Sequence, residues 1–299
     1  DAQTGIKNIL TNVEIAEQLA KNAMMFSSAN SINWGRLSPQ IVYYVSTYAQ
    51  LVADEEIALG DKINIVVPTG NFGNILAAYY AKLMGIPVNK LICASNSNNV
   101  LTDFLNTGIY DRNRNFYTTI SPSMDILISS NLERLLYHLC GDNDALIRDW
   151  FGKLSTYGKY EVTDEVKKLL KDSFCAGCCN DDETKATIKN IFEKFSYTCD
   201  THTAVGVKVY EDYKKATGDN TKTVIASTAS PYKFSSSVLE AIDGTQQNND
   251  EFAMVAKLGE ISKIEIPSAL SDLKNKSVRF SDTISKEDMK DYVLKTLGI

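Results

Sequence analysis

The 299-residue chain carries 31 basic and 37 acidic side chains, which gives a formal net charge of −6 at pH 7. This acidic balance disfavours nucleic acid and anionic membranes as partners. Apolar residues make up 44% of the chain and charged residues 23%, as is ordinary for a globular protein. Because no apolar run reaches the length of a membrane span and no secretory signal opens the sequence, we expect a cytoplasmic α/β protein of one or two domains.

A polar segment between two helical patterns is the first candidate site. Asn12 to Ala23 has apolar residues at helical spacing, and a long helix is predicted to begin at Ser38-Pro39. Just ahead of that second helix lie two amides, a hydroxyl and a guanidinium that could hold an anion: Asn30, Asn33, Ser31 and Arg36. The plainer alternative is helix capping beside one surface arginine.

The stretch from Ile63 to Gly85 predicts a short buried strand, a glycine-bearing turn and an apolar helix. The turn is Gly70-Asn71-Phe72-Gly73-Asn74. The first N–H groups of a helix lack intrahelical partners and lie at the positive end of its dipole, so this turn is a candidate phosphate cradle. Its glycines would allow close approach of an anion and positive φ. The alternative is a plain strand-to-helix turn with asparagine as the N-cap.

Strands and helices alternate along the rest of the chain. Further strands are predicted at 90–94, 115–120, 196–201, 223–227 and 263–266. Further helices are predicted at 100–108, 129–140, 164–172, 183–195, 202–216, 235–242 and 286–297. Residues 141–195 lack buried strand signals, and we expect them to form a helical insertion.

Three of the six cysteines lie close together in the expected insertion. Cys175, Cys178 and Cys179 include the Cys-x-x-Cys spacing of a metal knuckle or a redox pair. A second such pair is missing, and the chain has only two histidines. We therefore expect no metal site, but reduced thiols on a helix end or loop.

The alternation of strands and helices predicts an α/β fold with an open parallel sheet flanked by helices. Polar residues follow three strands, after Val67, Ala94 and Ser227, and such strand ends share one rim of a parallel sheet. A phosphate cradle at one end and hydroxyls at another indicate a phosphorylated organic cofactor along that rim. A neutral hydroxyl such as that of Thr228 suits a ring nitrogen that stays largely unprotonated.

Three ordered motifs resemble the threonine synthase family. They are SANSINWGR (Ser28 to Arg36), VPTGNFGN (Val67 to Asn74) and STASPYKF (Ser227 to Phe234). The resemblance runs from Asp1 nearly to the C-terminus. It implies a pyridoxal-phosphate (PLP) enzyme of fold type II, with the tryptophan-synthase-β-like fold. Residues 1–60 would then end a substrate-side segment, and residues 61–299 would form the large cofactor domain, with its insertion at about 141–195.

The resemblance also implies roles for individual residues. The backbone from Gly70 to Asn74 would grip the PLP phosphate, and Thr228 would face the pyridine nitrogen. The phosphate of O-phospho-L-homoserine would be held by Asn30, Ser31 and Arg36, with Asn33 beside them. The Asp200 to His202 segment resembles a family segment near the active site, but the residues assign it no role, and His202 could equally be structural.

One family feature is missing from this sequence. The lysine that forms the Schiff base lies in an N-terminal segment of the family, followed by a Ser/Thr-Gly substrate loop, and neither occurs here. Lys233 is the nearest lysine by motif, but it matches a helix entrance. No catalytic residue is therefore assigned in this chain. We expect a C-terminal portion of a longer enzyme, inactive alone, with the lysine upstream of Asp1.

The implied reaction of the intact enzyme converts O-phospho-L-homoserine and water to L-threonine and phosphate. Two alternatives remain open. One is another PLP lyase of the same fold, such as threonine dehydratase, and the other is a non-catalytic module that binds a phosphate ligand. In each case we expect a small-molecule ligand and no nucleic-acid or membrane partner, with self-association as a further prediction.

Overall fold

The computed structural model describes residues 2–28, 30, 32–245 and 250–299, with the side chains of 2–4 and 7 left aside. The chain forms two compact units, one of Asp1–Asn30 with Asp272–Ile299 and one of Ser31–Ser271. The predicted division into 1–60 and 61–299 rests on the motifs rather than on compactness, and it stays a prediction.

The described residues form fifteen α-helices and six strands. The helices are α1 (Ala2–Leu10), α2 (Val13–Lys21), α3 (Trp34–Leu37), α4 (Ile41–Ala53), α5 (Gly73–Leu83), α6 (Val100–Thr107), α7 (Leu132–Leu139), α8 (Asp144–Tyr157), α9 (Asp164–Ser173), α10 (Asp181–Phe195), α11 (Thr201–Thr217), α12 (Ser235–Asp243), α13 (Glu251–Ser262), α14 (Ser268–Ser271) and α15 (Met289–Leu297). The strands are β1 (Ile63–Pro68), β2 (Val88–Ser95), β3 (Ile109–Asp111), β4 (Lys159–Glu161), β5 (Phe174–Cys178) and β6 (Thr223–Ile225). None of the described helices is both long and apolar enough to cross a bilayer.

The smaller unit is built from α1, α2 and α15. The side chain of Asn12 accepts a hydrogen bond from the backbone N–H of Ile15 at 3.1 Å and so caps α2, as expected at a helix start. Ile15 and Leu19 are buried in an apolar cluster that includes Val293 and Leu294 of α15. The amphipathic pattern at Asn12 to Ala23 therefore predicted this helix correctly.

The larger unit is organised around a four-stranded parallel sheet in the order β5-β2-β1-β6. Successive side chains of β1 point to opposite faces of the sheet. Ile65 and Val67 are buried in the cluster that contains α5, whereas Val66 is buried in the cluster that contains Val205 of α11. Helices thus cover both faces, and the predicted open parallel α/β sheet is confirmed.

The expectation that residues 141–195 hold no strand is wrong. Strand β5 pairs with β2 at the sheet edge, with Leu91 opposite Phe174, and β4 pairs with β3 in a separate antiparallel pair. The sequence of β5, FCAGC, has no β-branched residue, so its composition did not predict a strand. Its small residues allow close packing, since a β-carbon at Gly177 would lie 3.0 Å from the side chain of Val209.

Three other predicted strands, at 115–120, 196–201 and 263–266, are loops, except that Thr201 already begins α11. In each loop, side chains or helix caps engage the backbone in place of a neighbouring strand. The Tyr117 backbone, for example, exchanges two hydrogen bonds with the Asn98 side chain, at 3.0 and 2.9 Å. Ser196 ends α10 in the left-handed conformation, and Lys263 does the same for α13.

Candidate functional site

The turn between β1 and α5 bends sharply at Phe72. This residue directly precedes α5 and adopts a left-handed backbone with φ 62° and ψ 4°, which costs a non-glycine residue about 1–2 kcal/mol. Its side chain is only 1% exposed, and its ring packs 6.0 Å from the ring of Phe174. Burial of the ring offsets the strain. The expectation that glycine supplies positive φ in this turn is therefore wrong, since neither Gly70 nor Gly73 has positive φ.

Gly70 serves close packing instead. A β-carbon at this position would lie 2.4 Å from the carbonyl oxygen of Ser123 and 3.3 Å from Cα of Met124. Both neighbours belong to a 3₁₀ turn, Pro122–Met124. No side chain fits between the two segments, so this turn forms a wall directly against the start of the loop.

The loop keeps its carbonyl groups occupied and its N–H groups open. The Gly70 carbonyl accepts from the Ser129 hydroxyl at 2.8 Å. The Asn71 carbonyl accepts from the backbone and side-chain nitrogens of Asn131 at 3.1 and 2.9 Å. By contrast, no acceptor in the described part of the chain takes the backbone N–H groups of Gly70 to Ile75. Donors without acceptors at the N-terminus of an eleven-residue helix are suited to an anion.

Two adjoining cavities lie at this corner of the sheet. The recess, of about 230 Å³, is lined by the Pro68–Asn74 loop together with Ser123, Arg36 and Gln40. The cleft, of about 630 Å³, shares Arg36, Gln40 and Asn74 with the recess and is further lined by α4 and by residues 224–228. The structure therefore brings the loop, Arg36 and Thr228 together, as the sequence predicted, and Thr228 is exposed there.

Asn74 is oriented by a tyrosine that sequence reasoning missed. The hydroxyl of Tyr44 in α4 donates a hydrogen bond to the side-chain oxygen of Asn74. Burial raises the pKa of Tyr44, so the phenol keeps its proton and acts as the donor. Because the oxygen of Asn74 is thus engaged, the polar group that remains is its NH₂ donor.

The predicted substrate-phosphate residues have different placements. Arg36 is exposed on α3 and lines both cavities. Asn33 caps α3, because its side-chain oxygen accepts from the Gly35 N–H at 2.9 Å, and this matches the capping alternative. Asn30 is exposed and belongs to the smaller unit, and Ser31 lies outside the described residues. Roles for all four in binding substrate stay predictions.

Arg134 connects the loop to the segment that carries Arg36. One of its terminal nitrogens donates to the side-chain oxygen of Asn131 at 2.5 Å, and the other donates to the Ile32 carbonyl at 2.6 Å. Asn131 in turn holds Asn71. Sequence reasoning missed these residues because 60 positions separate Asn131 from Asn71, so no local pattern relates them.

The other predicted polar tip, after Ala94, is used for internal structure. The Asn96 side chain donates to the Ser121 carbonyl at 3.3 Å and to Asp125 at 2.7 Å. The Asn98 side chain donates to the same carboxylate at 3.0 Å. These bonds fasten the 115–125 loop to the end of β2 and leave little polar capacity there for a ligand.

The cysteine group lies on strand β5 and directly after it, not on a helix end. Cys175 and Cys178 belong to β5, and all six cysteines are free. Burial raises the pKa of Cys179 to about 11, so this thiol stays protonated. Among the described residues, no three His, Cys, Asp or Glu side chains come together as a metal site.

Asp200 and His202 are buried at the start of α11. The Asp200 carboxylate caps this helix by accepting from the backbone N–H groups of His202 at 2.8 Å and Thr203 at 3.2 Å. Burial by itself would raise the pKa of Asp200, but hydrogen bonds from the His202 and Thr203 side chains and backbones outweigh it and lower the pKa. The segment therefore lies inside the fold, with a charged cap.

Fold and cavities together define an α/β protein with a candidate anion site at the carboxyl edge of its parallel sheet. The family described as "Threonine synthase, C-terminal" matches residues 203–293. The chain is 40% identical over 264 residues to threonine synthase-like 1 of Homo sapiens, which covers 88% of this chain and 35% of that protein.

Solved structures agree with that match. PLP-bound threonine synthase from Brucella melitensis aligns with a TM-score of 0.78 and 33% identity, over 97% of this chain and 56% of that one. Threonine synthase from yeast aligns with a TM-score of 0.79 and 32% identity, over 99% and 57%. Residues 203–293 thus carry the C-terminal domain of the threonine synthase family, and the chain is a homologue of threonine synthases that spans about a third to just over half the length of these relatives.

Proposed function

We propose that this chain provides the cofactor site and the substrate-phosphate site of a PLP-dependent threonine synthase. That enzyme converts O-phospho-L-homoserine and water to L-threonine and phosphate. The observation that carries the proposal is the row of open N–H groups from Gly70 to Ile75, in a recess that shares Arg36 and Asn74 with the cleft containing Thr228.

The residues present are suited to PLP. The loop donors and the Asn74 amide would hold the dianionic phosphate, and the Thr228 hydroxyl would pair with the ring nitrogen without protonating it. When bound, PLP supplies an electron sink for the substrate carbon that carries the amino group. Arg36 would hold the substrate phosphate and stabilise the charge that develops as it leaves.

Arg36 also favours threonine synthase over threonine dehydratase. O-phospho-L-homoserine brings a second phosphate into the site, whereas threonine brings none. A guanidinium in the cleft, in addition to the loop donors, is suited to a site with two phosphates because arginine binds phosphate bidentately.

The cofactor site is tested by Asn74→Asp, which changes an amide donor into a carboxylate at nearly constant volume. Repulsion of the PLP phosphate should weaken PLP binding by the chain at least tenfold, as measured by tryptophan fluorescence and phosphorus NMR. The matched control is Asn220→Asp, since Asn220 is exposed and forms no hydrogen bond with another described residue. Equal PLP affinity in both variants would reject the cofactor site.

The substrate site is tested by Arg36→Ala with calorimetric titrations of O-phospho-L-homoserine and of PLP. We expect the affinity for O-phospho-L-homoserine to fall about tenfold or more, because a charge-assisted bidentate contact is lost, and the affinity for PLP to change less than threefold. Loss of PLP binding with unchanged substrate affinity would contradict the assigned role.

A further inference from the structure

A chain of hydrogen bonds links the Asp200 to His202 segment to the wall of the recess. His202 is 3% exposed. Its Nε2 lies 3.1 Å from the backbone nitrogen of Ser123, and its Nδ1 lies 3.3 Å from Oδ1 of Asp200. The imidazole thus stands between a buried carboxylate and the turn that packs against Gly70.

The Ser123 contact fixes the tautomer of His202. A backbone N–H can only donate, so Nε2 must offer its lone pair as the acceptor. The ring proton of the neutral imidazole is therefore on Nδ1, where Asp200 and the Thr201 hydroxyl, 3.4 Å away, are its neighbours. The ring of Phe234, 4.8 Å from that of His202, restricts the remaining freedom of the imidazole.

The rest of the 115–125 loop is held independently of His202. Asn96 binds the carbonyl of Ser121 and the carboxylate of Asp125, on either side of Ser123. The N–H of Met124 donates to the Ser121 carbonyl at 3.0 Å. Loss of the His202 acceptor should therefore release Ser123 locally without unfolding the loop.

Ser123 matters because its backbone bounds the recess. It lines that cavity together with the loop, and its carbonyl oxygen leaves no room for a β-carbon on Gly70. A shift of the Ser123 backbone would change the position of Gly70 and hence the direction of the first open N–H groups. The interaction with an anion depends steeply on that direction, because hydrogen bonds weaken quickly off axis.

We propose that His202 is a positioning residue for the cofactor site: its Nε2, oriented through Asp200, holds the Ser123 turn against the phosphate loop. The proposal rests on the proposed function, because it names a further residue of the same PLP site. Helix capping by Asp200 does not need the imidazole of His202, and the proposed positioning role explains why this side chain is there.

A matched pair of amide substitutions isolates the role of Nε2. In His202→Gln the side-chain oxygen can reach the Nε2 position and still accept from Ser123. In His202→Asn the amide reaches only the Nδ1 position, so Ser123 loses its acceptor while a polar contact with Asp200 is kept. His138, the other histidine of the chain, is partly exposed in α7, and the same two substitutions there are the control.

Two measurements on the whole chain decide the outcome. By NMR, the Ser123 amide should exchange with solvent at least tenfold faster in His202→Asn than in His202→Gln, while the Thr69 amide, which donates to the Ala94 carbonyl, stays protected. In PLP titrations, His202→Asn should bind about tenfold more weakly, and His202→Gln should stay within threefold of the unaltered chain. Both His138 variants should behave as the unaltered chain does.

The possible failures are distinct. If the unaltered chain binds no PLP, the proposed function is rejected. If the unaltered chain and His202→Asn bind PLP equally well, the positioning role alone is rejected. An unchanged Ser123 exchange rate in His202→Asn would also overturn it, because Nε2 would then not be the group that holds this turn.

Discussion

Gly70→Ala tests the packing of the phosphate loop most directly. The added β-carbon would lie 2.4 Å from the Ser123 carbonyl oxygen, whereas ordinary contact begins at 3.4 Å, so one of the two segments must move by about 1 Å. The obstacle is backbone rather than a flexible side chain, and the adjoining Met124 is buried. Overpacking of this kind costs about 1–3 kcal/mol. We expect a loss of about 2 kcal/mol in the free energy of unfolding, together with weaker PLP binding.

The measurement is equilibrium unfolding in urea, followed by circular dichroism. Gly152→Ala is the matched control, because Gly152 is exposed in α8 and a β-carbon there meets nothing within 4 Å. That control should gain about 0.5–1 kcal/mol, since glycine is unfavourable inside a helix. If Gly70→Ala is as stable as the control and binds PLP normally, the description of Ser123 as a wall against the loop is wrong.

A double variant refines this test. In Gly70→Ala combined with His202→Asn, the turn no longer held by Nε2 can retreat from the new methyl group. The combined loss of stability should therefore be smaller than the sum of the two single losses. Strict additivity would indicate that His202 and Gly70 do not act on the same turn.

Two further predictions concern charged side chains. Arg134→Met removes the hydrogen bonds that join Arg134 to Ile32 and Asn131, so amide exchange around these two residues should become faster and O-phospho-L-homoserine should bind severalfold more weakly. Arg148→Met, which breaks an exposed ion pair with Asp144, should change neither quantity. Asp200→Asn should cost about 2 kcal/mol of stability at pH 7. Because the folded pKa of Asp200 is lowered, that difference should begin to shrink below about pH 4, where the carboxylate of the unfolded chain takes up a proton, and should be lost as the pH falls through the lower folded pKa. Urea unfolding at pH 7 and pH 3.5 measures the change, and a difference independent of pH would contradict the reasoning.

Local patterns predicted the centre of the sheet and the site around it. Strand β1 is a run of β-branched residues buried on both faces, and α5 follows its turn directly, so residues 63–83 carry their own structural signal. Thr228 lies just past β6, and the strand ends of a parallel sheet share one rim. The sheet topology therefore predicted that Thr228 lies near the loop.

What the sequence concealed depends on contacts between distant residues. Strand β5 forms because its backbone pairs with β2, although its sequence is rich in Cys, Ala and Gly. Residues 115–120 have the composition of a strand, yet the backbone of Tyr117 forms its hydrogen bonds with the Asn98 side chain instead of with a neighbouring strand. Tyr44, Ser123 and Arg134 reach the site from separate elements, and no spacing in the sequence relates them to Asn74 or Asn71.

The left-handed backbone of Phe72 has a consequence for how a ligand would enter and leave. The loop is clamped from inside by the buried ring and from outside by bonds to its carbonyl groups, so it has little conformational entropy left to lose. The loop would therefore pay little entropy to become ordered on binding, and almost all of its attraction for an anion would contribute to affinity. A rigid loop of this kind also cannot open easily. A bound phosphate would have to break its hydrogen bonds while the loop stays in place, so it would dissociate slowly.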